Sequence, residues 1–370
     1  MKLINKEIAA YIPFKLSLKS KGKIKPFLKP KLVSQETIKK ILPQLKVSLP
    51  KEGSISEQVF SILVNPEIRY GNLDYLNKSK SYLLSLINKL LKEKKPLIFH
   101  IAGFPHKMPN PFYTTQVEPD LGELMFLWRL ESIARILEQI YPYGVKIVIC
   151  LEGTVFHYLS MISRLEAQNY QELVKNLALT YDFEHLKFLD LVETHSQTKN
   201  WDEQVRIKSL KLYQLYQKGD KEVVAQLKRT WPVIFTTLNM RSLQSKEIIS
   251  MFKAANKGFK ETVKSKYHHL ALFAFESSLT YLAYNEIKRE SKVIEKAISA
   301  GIKMSVVPKL NAFGIWWVQK DEYKLPYYGL PLVKDNSFKA IEYAFDAKRI
   351  YNLQPVLIKG SRQPFFFEVV

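Results

Sequence analysis

Apolar positions along the chain follow two rhythms. Over 75–93, Leu76, Leu83, Leu84, Ile87, Leu90 and Leu91 share one face of a 3.6-residue period, while Lys78, Lys80, Lys89 and Lys92 fall off it, which predicts an amphipathic helix. After Pro96, the run LIFHIAG at 97–103 is short, apolar and closed by glycine, and reads as a buried strand. The next sixteen residues, FPHKMPNPFYTTQVEP, hold four prolines and predict an irregular but rigid loop. Asp120 opens a helix whose apolar spacing runs to Tyr141, Tyr143-Gly144 turns the chain, and VKIVICL at 145–151 is a second buried strand. Strand, helix and strand at this spacing make a right-handed βαβ unit with parallel strands.

Before this unit, residues 1–53 hold five prolines and predict short extended pieces with one helix near 36–42. After it, 155–166, 170–179, 201–218, 221–228 and 245–256 are candidate helices, 267–300 is one long or broken helix, and TWPVIFTTL at 230–238 is a candidate strand. Strands return at 301–308, 313–319, 327–333, 355–359 and 364–370. The reading is an α/β fold with a parallel-sheet, Rossmann-like core, a helical middle section and a strand-rich C-terminal portion. Residues 1–53 form a basic extension ahead of one domain over 54–370. Open parallel sheets bind ligands beyond the carboxyl ends of their strands. The two loops delivered there, 104–111 and Glu152-Gly153-Thr154, are the first expectation for a site.

Composition narrows the classes. At 46% hydrophobic and 25% charged residues, the 370-residue chain is an ordinary globular one, neither disordered nor fibrous. No apolar run approaches the roughly 18–20 residues that span a bilayer, and the first ten residues lack the pattern of a secretory signal, so a soluble, cytoplasmic protein is expected. The single cysteine, Cys150, excludes an intrachain disulfide and a cysteine metal cluster. Of the net charge of +21, residues 1–51 carry +11, from 13 lysines and two glutamates with no arginine. Arginine forks suit phosphate and base recognition better than lysine, which weakens a nucleic-acid reading. The alternation in KGKIKPFLKPKLV leaves open an edge strand with a solvated face, a membrane-surface or RNA contact, and a genomic composition bias.

No glycine-rich dinucleotide fingerprint, phosphate loop, zinc-protease or serine-hydrolase motif occurs. His268-His269 point about 100° apart on a helix and suit a surface role, while His100 and Cys150 read as core residues of buried strands. His106-Lys107, in the proline-braced loop, are either anion ligands with Asn110 as a further donor or a solvated turn. Glu152 is either a carboxylate for an amine or proton, or the cap of the following helix.

Several segments together, HIAGFPHKMPNP, PDLGELMFLWRLESIARILEQIYPYGVKIVICLEGTVF, GIKMSVVP and LPYYGLPLV, resemble in order and spacing the isonitrile (isocyanide) synthase family of pyoverdine/dityrosine biosynthesis proteins. The resemblance covers roughly 55–370. It implies a transferase- or lyase-type enzyme of secondary metabolism that joins an amino acid, often tyrosine or tryptophan, to ribulose 5-phosphate. The amine becomes an isonitrile whose carbon is the sugar's carbonyl carbon, and no redox cofactor or metal is implied. Pro105, Lys107, Pro109 and Asn110 match the first loop; Pro119, Asp120 and Glu123 the helix start; Gly153, Val155 and Phe156 the second loop; Ser305 and Pro308 a later strand; Pro326 and Gly329 the last motif. The chain departs from the pattern at Glu152 for aspartate, Lys303 for arginine, Tyr327 for tryptophan, and Val307 and Tyr328 for histidines. The implied roles are phosphate binding by Lys107 and Lys303, with His106, Asn110 and Ser305 beside them. Glu152 and Asp120 are the carboxylates for amine or proton, and Tyr328 stands in for a lost imidazole. Two other readings remain: a non-catalytic relative that binds a metabolite, protein or nucleic acid through its basic N-terminal section, and an enzyme of the same fold running a different amine–carbonyl condensation.

Overall fold

The computed structural model describes residues 23–71, 73–191, 200–298, 301–306 and 309–370. Strand β1 (Lys31–Val33) and helices α1 (Gln35–Ile41), α2 (Ile55–Leu63) and α3 (Asp74–Lys92) precede β2 (Leu97–Gly103). Helix α4 (Leu121–Glu138) then leads to β3 (Val145–Leu151), as the βαβ pattern predicts. The predicted helix over 155–166 is instead a four-residue turn, α5 (Gly153–Phe156), and a 3-10 turn (His157–Ser160). Met161 at φ 58° breaks the chain there, and Ser163 caps a new helix, α6 (Arg164–Thr180), by accepting the Glu166 amide. Strand β4 (Leu186–Asp190), not anticipated, follows.

The helical middle comprises α7 (Trp201–Gln217), α8 (Lys221–Thr237), α9 (Ser245–Ala255), α10 (Phe259–Val263), α11 (His268–Ser291) and α12 (Val293–Ala297). The candidate strand at 230–238 is the second half of α8, which runs through Pro232. Its β-branched residues misled the short-range reading; Trp231, Ile234, Phe235 and Leu238 sit at helical spacing and fill the core of a helical lobe. The 267–300 helix is the broken alternative, interrupted at Lys292 with φ 49°.

Strands β5 (Ile302–Ser305) and β6 (Phe313–Gly314) complete one sheet. Of the strand expected over 313–319, only Phe313 and Gly314 form β6 and Ile315 makes an isolated bridge to Arg69, and 326–328 is a 3-10 turn rather than strand. A second sheet is built from β7 (Leu330–Lys334), β8 (Ser337–Glu342), β9 (Leu353–Ile358) and β10 (Phe366–Val369), with α13 (Ala344–Ile350) between β8 and β9. It has the mixed order β1-β9-β10-β7-β8. The basic stretch therefore supplies an edge strand, one of the readings left open, with Lys31 ion-paired to Glu368.

The first sheet, β4-β3-β2-β5-β6, is parallel throughout. Its strands run third, second, first, fourth, fifth in chain order, so the winding reverses between β2 and β5. A doubly wound sheet opens a crevice at such a reversal, beyond the strands' carboxyl ends. One face, with Leu97, Phe99, Ile101, Ile147 and Ile149, packs in the main core with Leu124, Leu127 and Val174 of α4 and α6. On the other face Cys150 is buried with Ile294 and Ile298.

Candidate functional site

The first loop leaves β2 through Phe104, whose φ of 52° is unusual for a residue with a Cβ. Its buried ring packs 5.4 Å from Phe126 and holds it there. The second loop lies directly against the first. A Cβ on Gly153 would sit 2.0 Å from the Pro105 carbonyl oxygen, so only glycine admits this approach.

Lys107 does not face a ligand space. Its ammonium is fully buried and donates to Asp120 at 2.6 Å, to both Glu123 oxygens at 3.0 and 2.8 Å, and to the Pro326 carbonyl at 3.3 Å. The carboxylates come from one device: Asp120 caps α4 and Glu123 returns the bond to the Asp120 amide. Tyr170 adds its hydroxyl to Glu123 at 2.9 Å. Burial works against the Lys107 charge, but the two carboxyls outweigh it and hold the ammonium protonated. Burial raises the Asp120 carboxyl well above its ordinary range, whereas Lys107 holds Glu123 below its own despite burial. This corrects the expectation for Lys107 and Asp120. A cation whose bonds go to two buried acids and a carbonyl has no capacity left for phosphate. It clamps the loop to the turn at 326–328, where Met108 N also donates to Tyr327 O at 3.0 Å. Asn110 is likewise spent, donating to Thr236 O at 2.8 Å and accepting from Phe112 N at 3.0 Å.

Glu152, Lys303 and Ser305 do meet. They line a cavity of about 620 Å³ in the crevice between β2 and β5. Glu152 stands at the start of α5, but its side chain caps nothing; it pairs with Lys288 of α11 at 3.0 Å, both partners about one-fifth exposed. Burial opposes the Lys288 charge, and Glu152 outweighs it, keeping the ammonium above its ordinary pKa. Lys303 is the β5 neighbour of His100 on β2, and both reach the cavity, as do Arg289 and Lys309. His100 is thus a wall residue as well as a buried one. The cavity is also lined by aromatic rings: those of Tyr70 and Trp316 lie 4.8 Å apart, and that of Tyr323 lies 5.3 Å from Trp316.

His106 and Tyr328 belong elsewhere. They line a second chamber of about 370 Å³, which shares Glu152, Tyr281 and Tyr327 with the first. His106 bonds through Nδ1 to Lys107 O and through Nε2 to Ser160 Oγ, both at 3.0 Å. Burial pushes its pKa down to about 4, so it is neutral at physiological pH and not the cation the sequence suggested. Burial raises the Tyr328 phenol above its ordinary range, which leaves it a proton donor in a hydrogen bond rather than a base. Val307, the other histidine replacement, lies outside the described residues, as does Pro308.

Sequence reasoning missed the contribution of α11. Tyr281, Asn285, Lys288 and Arg289 all line the larger cavity, and their i, i+4, i+7, i+8 spacing is a readable stripe. Nothing local says that this stripe meets a sheet edge far earlier in the chain. Among the described residues no group of three His, Cys, Asp or Glu could hold a metal ion.

Residues 87–341 match the family model described as pyoverdine/dityrosine biosynthesis protein. The chain is 30% identical over 152 residues to the L-tyrosine isonitrile synthase of Xenorhabdus nematophila, across 41% of this chain and 45% of that protein. This chain therefore spans less than half the length of that relative. It is 21% identical over 303 residues to the L-tyrosine isonitrile synthase of Pseudomonas aeruginosa, across 80% of this chain and 86% of that protein. The crystal structure of the PvcA protein from Pseudomonas aeruginosa superimposes with a TM-score of 0.65 at 18% identity, covering 86% of this chain and all of that one, a likeness of fold.

Proposed function

Because the chain belongs to the pyoverdine/dityrosine biosynthesis protein family, we propose that it is an isonitrile synthase that condenses an amino acid with ribulose 5-phosphate in the crevice between β2 and β5. The observation that carries the reading is the charge pattern of the larger cavity. Lys288, Arg289, Lys303 and Lys309 face it against Glu152 and Glu322, an excess of cations that suits a phosphorylated, multiply hydroxylated substrate. Lys303 replaces the lost arginine as a point charge. Without the planar fork, it holds a phosphate by charge more than by geometry.

The first chemical step is attack of the free amine on the sugar carbonyl, followed by loss of water to give an imine. Glu152, in the wall common to both chambers, takes the proton that the amine must lose. Lys288, kept charged by Glu152, polarises the carbonyl oxygen. His100 supplies an imidazole in the same cavity, a proton carrier for the later cleavage of the two carbon–carbon bonds that flank the sugar carbonyl, a role for which Tyr328, a phenol in the other chamber, is poorly placed.

The test is steady-state kinetics of isonitrile formation with L-tyrosine and ribulose 5-phosphate. Glu152→Gln is expected to lower kcat by roughly 10²–10⁴-fold, the usual contribution of a positioned acid–base group. Turnover by the variant at the wild-type rate removes Glu152 from the reaction.

A further inference from the structure

The two chambers differ in charge, and the difference divides two substrates between them. The larger carries the cation excess. The smaller is lined by one permanent cation, Arg229, and one anion, Glu152, in an otherwise apolar and neutral wall that includes Met108, Phe156, Leu159 and Ile234. One charge of each sign is the complement of an α-amino acid zwitterion, not of a phosphate. A volume of about 370 Å³ lies at the small end of ligand pockets, roughly 300–1,000 Å³, and suits a single amino acid. Arg229 is exposed on α8 at the chamber's edge.

The apolar wall also holds one oriented polar pair. The Lys107 carbonyl can only accept, so His106 Nδ1 carries the ring proton and Nε2 is the acceptor. Ser160 Oγ, 3.0 Å from Nε2, must therefore spend its hydrogen on His106, which leaves its lone pairs as acceptors. Both residues line the chamber.

We propose that the smaller chamber is the amino-acid subsite, with Arg229 holding the α-carboxylate, Glu152 the α-ammonium, and Ser160 Oγ accepting from a hydrogen-bond donor on an aromatic side chain. This rests on the amino-acid reading above and adds which residues choose the amino acid. It favours tyrosine over phenylalanine, because the fixed tautomer leaves Ser160 an acceptor that only a donor satisfies. The amine then lies in the wall shared with the sugar-phosphate cavity, where the two substrates must meet.

Calorimetric titration of the full chain with L-tyrosine, L-phenylalanine, tyramine and ribulose 5-phosphate tests the assignment. Arg229→Gln should weaken L-tyrosine at least tenfold, Arg229→Lys should restore part of it, and both should leave tyramine, which lacks the carboxylate, and ribulose 5-phosphate unchanged. Ser160→Ala should abolish the preference for L-tyrosine over L-phenylalanine, with L-phenylalanine binding at least as well as to the wild type, which also reports that the chamber is intact. Loss of tyramine or ribulose 5-phosphate binding in Arg229→Gln, an unaltered tyrosine preference in Ser160→Ala, or absence of L-tyrosine binding by the wild type overturns the proposal. Amino-acid binding that follows these rules without isonitrile formation sinks the proposed reaction and keeps the subsite. Isonitrile formation whose KM for tyrosine ignores both variants does the reverse.

Discussion

Replacing Lys107 by methionine removes a cation, at similar side-chain length, from a fully buried site. The side chain is fully buried, and three contacts of 3.0 Å or less to Asp120 and Glu123 disappear. Breaking a buried ion pair from one side costs about 3–5 kcal/mol, because the partner charge stays behind. Here two carboxyls stay behind, within one capping box. With an unfolding entropy of about 2.1 cal/mol/K per residue, a 370-residue chain has roughly 0.8 kcal/mol/K, so the loss lowers Tm by about 4–6 °C. The deficit depends on pH in a definite sense. Without Lys107, Glu123 loses the cation that holds its carboxyl low against burial, so it joins Asp120 in favouring the protonated form in the folded state, with a folded pKa above its unfolded value. The native state then binds more protons, and stability falls as pH rises above about 4. Chemical denaturation of Lys107→Met between about pH 5 and pH 8 should show a deficit that widens with pH, and adding Glu123→Gln should recover part of it. A loss under about 1 kcal/mol, level across that range, would refute the buried-clamp account and reopen a solvated, ligand-facing Lys107.

Other perturbations separate the remaining parts. For His106, the unfolded ring takes up a proton near pH 6.5 and the buried native ring only near pH 4. Between those values the unfolded state binds more protons, and stability falls as pH is lowered by up to about 3 kcal/mol. His106→Asn, which keeps a donor near Nδ1, should flatten that slope in urea denaturation, and identical slopes would show that the ring titrates normally. Gly153→Ala places a methyl 2.0 Å from the Pro105 carbonyl and should cost about 1–3 kcal/mol by thermal melt, as overpacking does; an unchanged Tm means that the loops separate freely. Lys303→Gln should weaken ribulose 5-phosphate by about tenfold or more in calorimetry, the worth of one charge-assisted contact, while L-tyrosine binding holds.

The parallel core was legible because its signals are local. LIFHIAG and VKIVICL are β2 and β3 to the residue, and Asp120 caps the helix between them. What failed depended on distant partners. The segment 230–238 is helical because the lobe's core needs Trp231, Ile234 and Phe235 on one side, a demand written in α9, α10 and α11 rather than in the segment itself. Strand β4 is short and ends in an acid, so its burial comes from pairing with β3 and not from its own pattern. In the site, the loops were readable but the direction of their side chains was not. Lys107 points away from the crevice because two carboxylates 13 and 16 residues later capture it. Glu152 points into the crevice because Lys288, 136 residues away, lies there.

The central claim is that this chain makes an isonitrile from an amino acid, using the sugar's carbonyl carbon. Incubating the purified chain with L-tyrosine and ribulose 5-phosphate carrying carbon-13 at the carbonyl carbon, followed by mass spectrometry, tests it most directly. The account predicts a tyrosine-derived isonitrile carrying the single heavy carbon, formed by the wild type and lost in Glu152→Gln. Unaltered tyrosine and sugar phosphate, or a product without the label, would contradict it.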